Sequence, residues 1–243
     1  MDTIKNNLSI IHQRIKKACE KVNREANDVR LLLATKTVPA DRIALALECG
    51  ETLLGENKVQ ELKEKDPILY QYNCEKHYIG HLQTNKIKEV LRYVTCIESI
   101  DRLDLVQKLD QRLQFEGRSM DILIQVNTSY EDSKFGLDPV SVVPFIKEVS
   151  KYETLNIKGL MTIGLFSAEE AKVRKCFRLL KNIQQQVIEE NILNVDMTEL
   201  SMGMSGDLEV AIEEGATIVR VGTAIFGERI YPDSYYWNES EKT

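Results

Sequence analysis

The sequence predicts a single (β/α)8 barrel, a TIM barrel, with an additional N-terminal helix. Three observations predict it. Short apolar runs alternate eight times with amphipathic stretches along a chain of 243 residues. The runs are near-continuous Leu, Ile and Val, the composition of parallel strands buried on both faces. The first run, Leu31 to Thr35, leads into Lys36-Thr37-Val38-Pro39. It lacks the glycine-rich turn that opens a doubly wound dinucleotide-binding sheet, which is the competing architecture.

In chain order, Ile4, Leu8, Ile11, Ile15, Cys19 and Val22 recur every three or four residues. They form one apolar stripe, with Lys16, Lys17, Lys21 and Arg24 on other faces, and residues 1–26 are read as the extra helix. A basic amphipathic helix can lie on a membrane, but this stripe is read as packing on the core. Strands are expected at 31–36, 52–56, 77–80, 95–99, 121–127, 157–163, 198–202 and 217–222. Helices are expected between them at 40–49, 57–65, 84–92, 102–115, 139–150, 168–190 and 207–214. No linker interrupts the pattern, so residues 1–243 read as one domain, with 228–243 as a short C-terminal tail.

Composition narrows the function classes. Hydrophobic residues at 43% and charged residues at 29% give a globular core and exclude global disorder. A net charge of −6 argues against nucleic acid or an anionic membrane as the main partner. No apolar run has the length of a membrane helix, and the N-terminus lacks the apolar core of a signal peptide. The five cysteines are odd in number and scattered, without a C-x-x-C pair, as expected of reduced thiols in a cytoplasmic protein.

In a barrel, the C-terminal ends of the strands converge on one mouth where chemistry is found. Strand one ends in Lys36, strand two in Glu56-Asn57, strand three in Gly80-His81, strand five in Gln125 and Asn127, strand seven in Ser201, and strand eight in Arg220. Lys36 follows an apolar strand and precedes a helix start, which brings its amine to the mouth. An amine beside another cation, here Arg220, loses proton affinity and becomes a nucleophile toward carbonyls, forming a Schiff base. Ser201-Met202-Gly203-Met204-Ser205-Gly206 and Gly222-Thr223-Ala224 are small-residue turns after strands seven and eight, the place where such barrels bind phosphate. His77 and His81 lack a third ligand, so no metal is expected. Asp196, Glu199, Asp207 and Glu209 are expected to cap helices, and the 131–134 stretch reads as a solvated loop.

These residues also form a family pattern. Leu33-Ala34-Thr35-Lys36-Thr37, Gly55 through Glu61, His77 through Lys86 and Gln125-Val126-Asn127 are its first four segments. Ser133-Lys134-Phe135-Gly136, Gly159 through Thr162, Leu200 through Ser205, and Val219 through Gly227 complete it. Over essentially its whole length the chain resembles the pyridoxal phosphate homeostasis (YggS/PROSC) family. The resemblance implies a barrel like the N-terminal domain of alanine racemase, holding pyridoxal 5′-phosphate (PLP) as an aldimine on Lys36. It implies that Arg220 faces the pyridine nitrogen, that Ser201, Gly222 and Thr223 hold the phosphate, and that Asn57 lies near the cofactor. It also implies a monomer, with apo PLP-dependent enzymes as candidate partners. Many relatives carry an aromatic residue where this chain has Lys76, a departure that bears on local packing.

Three readings of the chemistry follow. The expected one is a PLP-binding protein without catalytic turnover; a PLP-dependent racemase or decarboxylase and a Schiff-base aldolase acting on a sugar phosphate are the alternatives. Two arguments favour the first. Racemases of this barrel type add a C-terminal β-domain, whereas little follows Gly227 here except Tyr231, Tyr235, Tyr236 and Trp237 among polar residues. PLP is a strong electron sink when its ring nitrogen is protonated, and Arg220, a permanent donor, disfavours that proton.

Overall fold

A computed structural model describes residues 2–227. Helix α1 (Asp2–Lys21) is followed by β1 (Arg30–Ala34), α2 (Ala40–Glu48), β2 (Leu53–Glu56), α3 (Val59–Leu69), β3 (Glu75–Tyr78) and α4 (Ile87–Val90). The chain continues through β4 (Cys96–Ile100), α5 (Leu103–Glu116), β5 (Met120–Gln125), α6 (Val142–Val149), β6 (Leu155–Met161) and α7 (Glu170–Glu189). It then forms β7 (Val195–Ser201), α8 (Leu208–Glu213), β8 (Ile218–Val221) and α9 (Thr223–Phe226). Among the described residues the eight strands pair in parallel with their neighbours, and β8 returns to pair with β1, closing the barrel. The expected tail at 228–243, with its tyrosines and Trp237, lies outside the described residues.

The extra helix is shorter than the segment 1–26. Asn23 takes φ 53, a left-handed conformation in which asparagine is tolerated, and the amides of Val22 and Arg24 both return to the Cys19 carbonyl at 3.0 Å. A separate 3-10 turn follows at Ala26–Asp28. The stripe packs on the core: Ile4, Leu8, Ile11, Ile15 and Cys19 are buried, while Val22, past the helix end, is half-buried. Among the described residues no helix is long and apolar enough to cross a membrane.

Strands β3 and β7 begin earlier than hydrophobicity suggests. Glu75 and Lys76 join β3 by pairing with Leu53 and Leu54, and β7 starts at Val195, opposite Ile157. Ladder pairing recruits these residues whatever their polarity, so apolar periodicity does not reveal them.

Side-chain alternation divides the sheet into an outward face under the helices and an inward face filling the lumen. Leu32, Leu53 and Ile218 form one apolar group inside, with Ile79 against them, and Cys96, Leu123 and Met161 form another with Ile163. The filling is tight. A Cβ on Gly159 would lie 1.8 Å from the Glu199 carbonyl oxygen, so only glycine lets β6 and β7 pair there.

Candidate functional site

The upper lumen is polar. Glu98 on β4 and Ser201 on β7 are not on neighbouring strands, yet the Ser201 hydroxyl donates to Glu98 Oε2 at 2.5 Å, so the bond crosses the barrel interior. Arg220 donates from Nη1 to Ser201 Oγ and from Nη2 to the Thr162 carbonyl, both at 2.8 Å. Glu98 Oε1 meets His77 Nδ1 at 2.7 Å. All four side chains are buried, and Glu98 and Ser201 are completely so.

The charges explain one another. Burial alone would discharge His77, but its bonds to Glu75 and Glu98 outweigh that penalty and lift its pKa to about 9. Burial likewise works against ionised Glu98, and the His77 bond with the nearby Arg220 charge holds its carboxyl below the usual range. Burial lowers the proton affinity of Arg220, opposed by the charges of Glu98 and Asp207. The ground state is therefore a cationic imidazole and guanidinium flanking one carboxylate.

Above this layer lies the mouth. Alternation from Leu32 through Ala34 brings Lys36 to the lumen side, while Thr35 turns outward and donates to Glu56 Oε1 at 2.6 Å. Lys36 is half-buried, two residues past the strand end. Asn57 occupies the corresponding position after β2; its backbone is pressed against Gly80, where a Cβ would lie 2.2 Å from the Asn57 carbonyl oxygen. Asn57 Oδ1 is buried and has no hydrogen-bond partner among the described residues.

The turns after β7 and β8 meet: Thr223 Oγ1 lies 3.4 Å from Ser205 Oγ. Helix α9 starts at Thr223, so its first N–H groups are not used within the helix. Gly222 has an ordinary negative φ; its role is close approach, because a Cβ would lie 2.8 Å from the Ala34 carbonyl oxygen. The turns are anchored from outside by α1. Arg14 donates to Glu209 at 2.6 Å and to the Ser205 carbonyl at 3.0 Å, and Asn7 donates to the Ile225 carbonyl at 2.9 Å.

The structure thus joins Arg220 to Ser201 and Thr223 to the Ser205 turn, and seats Gly222 against the end of β1. The Ser201 hydroxyl is engaged by Glu98 and Arg220. Asp207 is the N-cap residue of α8, yet its carboxylate makes no cap bond to the helix and instead accepts from the Met204 amide at 2.5 Å, closing the β7–α8 turn. Asp196 and Glu199 cap nothing either; Asp196 lies 3.4 Å from Lys158, and Glu199 accepts from Thr217 at 2.8 Å. The 131–134 stretch is tied down, with Lys134 bonded to Glu131 and to the Gly164 carbonyl. His81 stacks on Phe135, ring centroids 4.0 Å apart, and among the described residues no cluster suits a metal. Lys76 pairs with Asp66 at 2.9 Å. Sequence reasoning missed Glu98 and Thr162. The available signal for Glu98 was a charged residue inside an otherwise apolar strand, Cys96-Ile97-Glu98-Ser99-Ile100.

His77→Ala leaves Glu98 buried beside Arg220 without its second partner, at an expected cost of about 3 kcal/mol. The His77 pKa is raised from 6.5 to about 9, so its stabilisation is complete below the lower value and disappears as pH rises through the upper one. Denaturant unfolding of both proteins should therefore show a gap at about pH 6 that narrows by about pH 10. A gap that stays constant would mean His77 contributes through packing alone.

The chain matches known proteins in sequence and in shape. Residues 4–230 match the family described as alanine racemase, N-terminal domain. It is 42% identical to a pyridoxal phosphate homeostasis protein of Aquifex aeolicus, over 92% of this chain and 97% of that one. A human protein of the same name is 34% identical over 92% of this chain and 86% of its own. Among solved structures, PipY from Synechococcus elongatus PCC7942 with PLP bound superposes with a TM-score of 0.81 at 29% identity, covering 92% of this chain and all of that one. Neither of the two named relatives carries a catalytic name. The chain belongs to the alanine racemase N-terminal domain family, among its pyridoxal phosphate homeostasis proteins.

Proposed function

We propose that this protein binds PLP at the barrel mouth and serves PLP homeostasis, keeping the cofactor attached to Lys36 without catalytic turnover. The observation that carries the reading is Arg220. Its guanidinium is fixed by Ser201 and Thr162 directly below the mouth, where it has donor capacity left for a ring nitrogen. The other residues fit the remaining groups of the molecule. Lys36 supplies an amine for the aldehyde, and Asn57 Oδ1 is a buried acceptor in want of a donor. Gly222, Thr223 and Ser205 present amides and hydroxyls to the phosphate, and Ser201 contributes by holding Arg220. When bound, PLP supplies an aldehyde for amines and an electron-withdrawing ring.

The protein's own groups argue against strong catalysis. A guanidinium only donates, so it favours an unprotonated ring nitrogen, and Glu98 and His77 keep that guanidinium charged and in place. Apo PLP-dependent enzymes are the natural recipients of a stored cofactor, and a monomer in the cytoplasm is the form we propose for that role. Relatives named for PLP homeostasis, and one solved with PLP bound, support the reading.

Borohydride reduction of protein incubated with PLP should add the cofactor's mass to the peptide containing Lys36. Labelling of another lysine, or preferential trapping of a sugar-phosphate aldehyde, would move the assignment to the aldolase alternative. Thr223→Val tests the phosphate turn more cleanly than a change at Gly222, whose added Cβ would press on β1. Loss of one hydrogen bond to a charged group should weaken PLP about tenfold or more, and pyridoxal, which lacks the phosphate, far less. Equal losses would make Thr223 structural. Finally, α-deuterium exchange of common amino acids in heavy water should be far slower than about 1 per second; exchange at that rate would establish an enzyme.

A further inference from the structure

Lys36 sits in a turn whose backbone is gripped on both sides by one buried cluster of charges. The Val38 amide returns to the Thr35 carbonyl at 2.9 Å, so Thr35 to Val38 form a β-turn with Lys36 and Thr37 at its corners. Thr37 takes φ 65. A positive φ at that corner is suited to glycine or asparagine, and for a β-branched residue it is strained. The strain is held from α3. Glu61 Oε2 accepts the Thr37 amide at 2.6 Å, and Lys65 donates to the Thr35 carbonyl at 2.8 Å. Lys65 also binds Glu61 at 2.6 Å and pairs with Glu56 on β2, fixing both carboxylates with one ammonium. Nothing in the capture of PLP described above uses these three residues.

We propose that Glu61 is a positioning residue for Lys36: by holding the Thr37 amide it keeps the turn in the strained form that aims the Lys36 amine at an incoming aldehyde. The inference rests on the reading that Lys36 takes PLP. In that step the Nζ lone pair joins the aldehyde carbon, and the aldehyde oxygen leaves as water with two protons from the amine. Its rate depends on where Nζ is held, whereas binding of a phosphorylated pyridine that lacks the aldehyde does not. Lys65 supports Glu61 by pairing with it, and removal of Glu61 leaves a one-to-one Lys65–Glu56 pair, so no buried charge is left without a partner.

The experiment compares two ligands: PLP, followed by the visible absorbance that appears on attachment, and pyridoxine 5′-phosphate, an alcohol, followed by equilibrium binding. Glu61→Ala should slow attachment about tenfold or more while changing pyridoxine phosphate affinity by less than about twofold. Glu61→Gln keeps an acceptor for the Thr37 amide and should recover most of the rate. Thr37→Gly removes the strain, so in that background the loss of Glu61 should slow attachment much less. Equal loss for both ligands, an unchanged attachment rate, or additive effects in the double variant would each overturn the proposal. If reduction of the wild type labels a lysine other than Lys36, the PLP assignment itself falls; normal labelling with any of those three outcomes removes Glu61 alone.

Discussion

A guanidinium buried in a barrel lumen must be compensated there, and this constraint organises the interior. Arg220 cannot be neutralised by losing its proton, so a carboxylate has to share its low-dielectric surroundings. Glu98 does so through Ser201, and His77 balances Glu98 from the far side. The chain of charges runs on to the lower rim, where Glu75 lies 3.7 Å from His77 and accepts from Arg30 at 2.5 Å. A lumen filled with aliphatic side chains would be at least as stable, because buried ion pairs recover their desolvation cost poorly.

The same economy appears on the outer side of the strands. Glu56, Glu61 and Lys65 form a second buried charge cluster, between β2 and α3, and it too ends at the mouth. One cluster fixes a guanidinium inside the barrel; the other fixes the backbone around an amine at its edge. The residues of the two clusters point in opposite directions from the sheet.

Helix α1 is part of this arrangement. A (β/α)8 barrel closes without it, yet its apolar stripe covers the core near α8 and α9, and its polar residues reach the turns between β7 and α9. Arg24 adds a bond to the Ile212 carbonyl at 3.1 Å. The two turns that meet at Ser205 and Thr223 are short and rich in small residues. An external brace gives them fixed positions.

The barrel was legible in the sequence because its signals are local: apolar runs of strand length, amphipathic stretches between them, and no glycine-rich turn after Leu33-Ala34-Thr35. Lys36, Asn57 and Arg220 stood out for a related reason, since a polar residue in or just after an apolar strand has no packing role to explain it. Boundaries set by pairing were not legible, as Glu75 and Lys76 in β3 and Val195 in β7 illustrate. Partnerships were the least legible. Glu98 and Ser201 are separated by 103 residues and Lys65 reaches back 30 residues to the Thr35 carbonyl. Composition and periodicity give the type of each side chain and the face it occupies. Which charge answers which is decided only when barrel closure brings distant strands to face one lumen, and there the cost of an unpaired buried charge selects the partners.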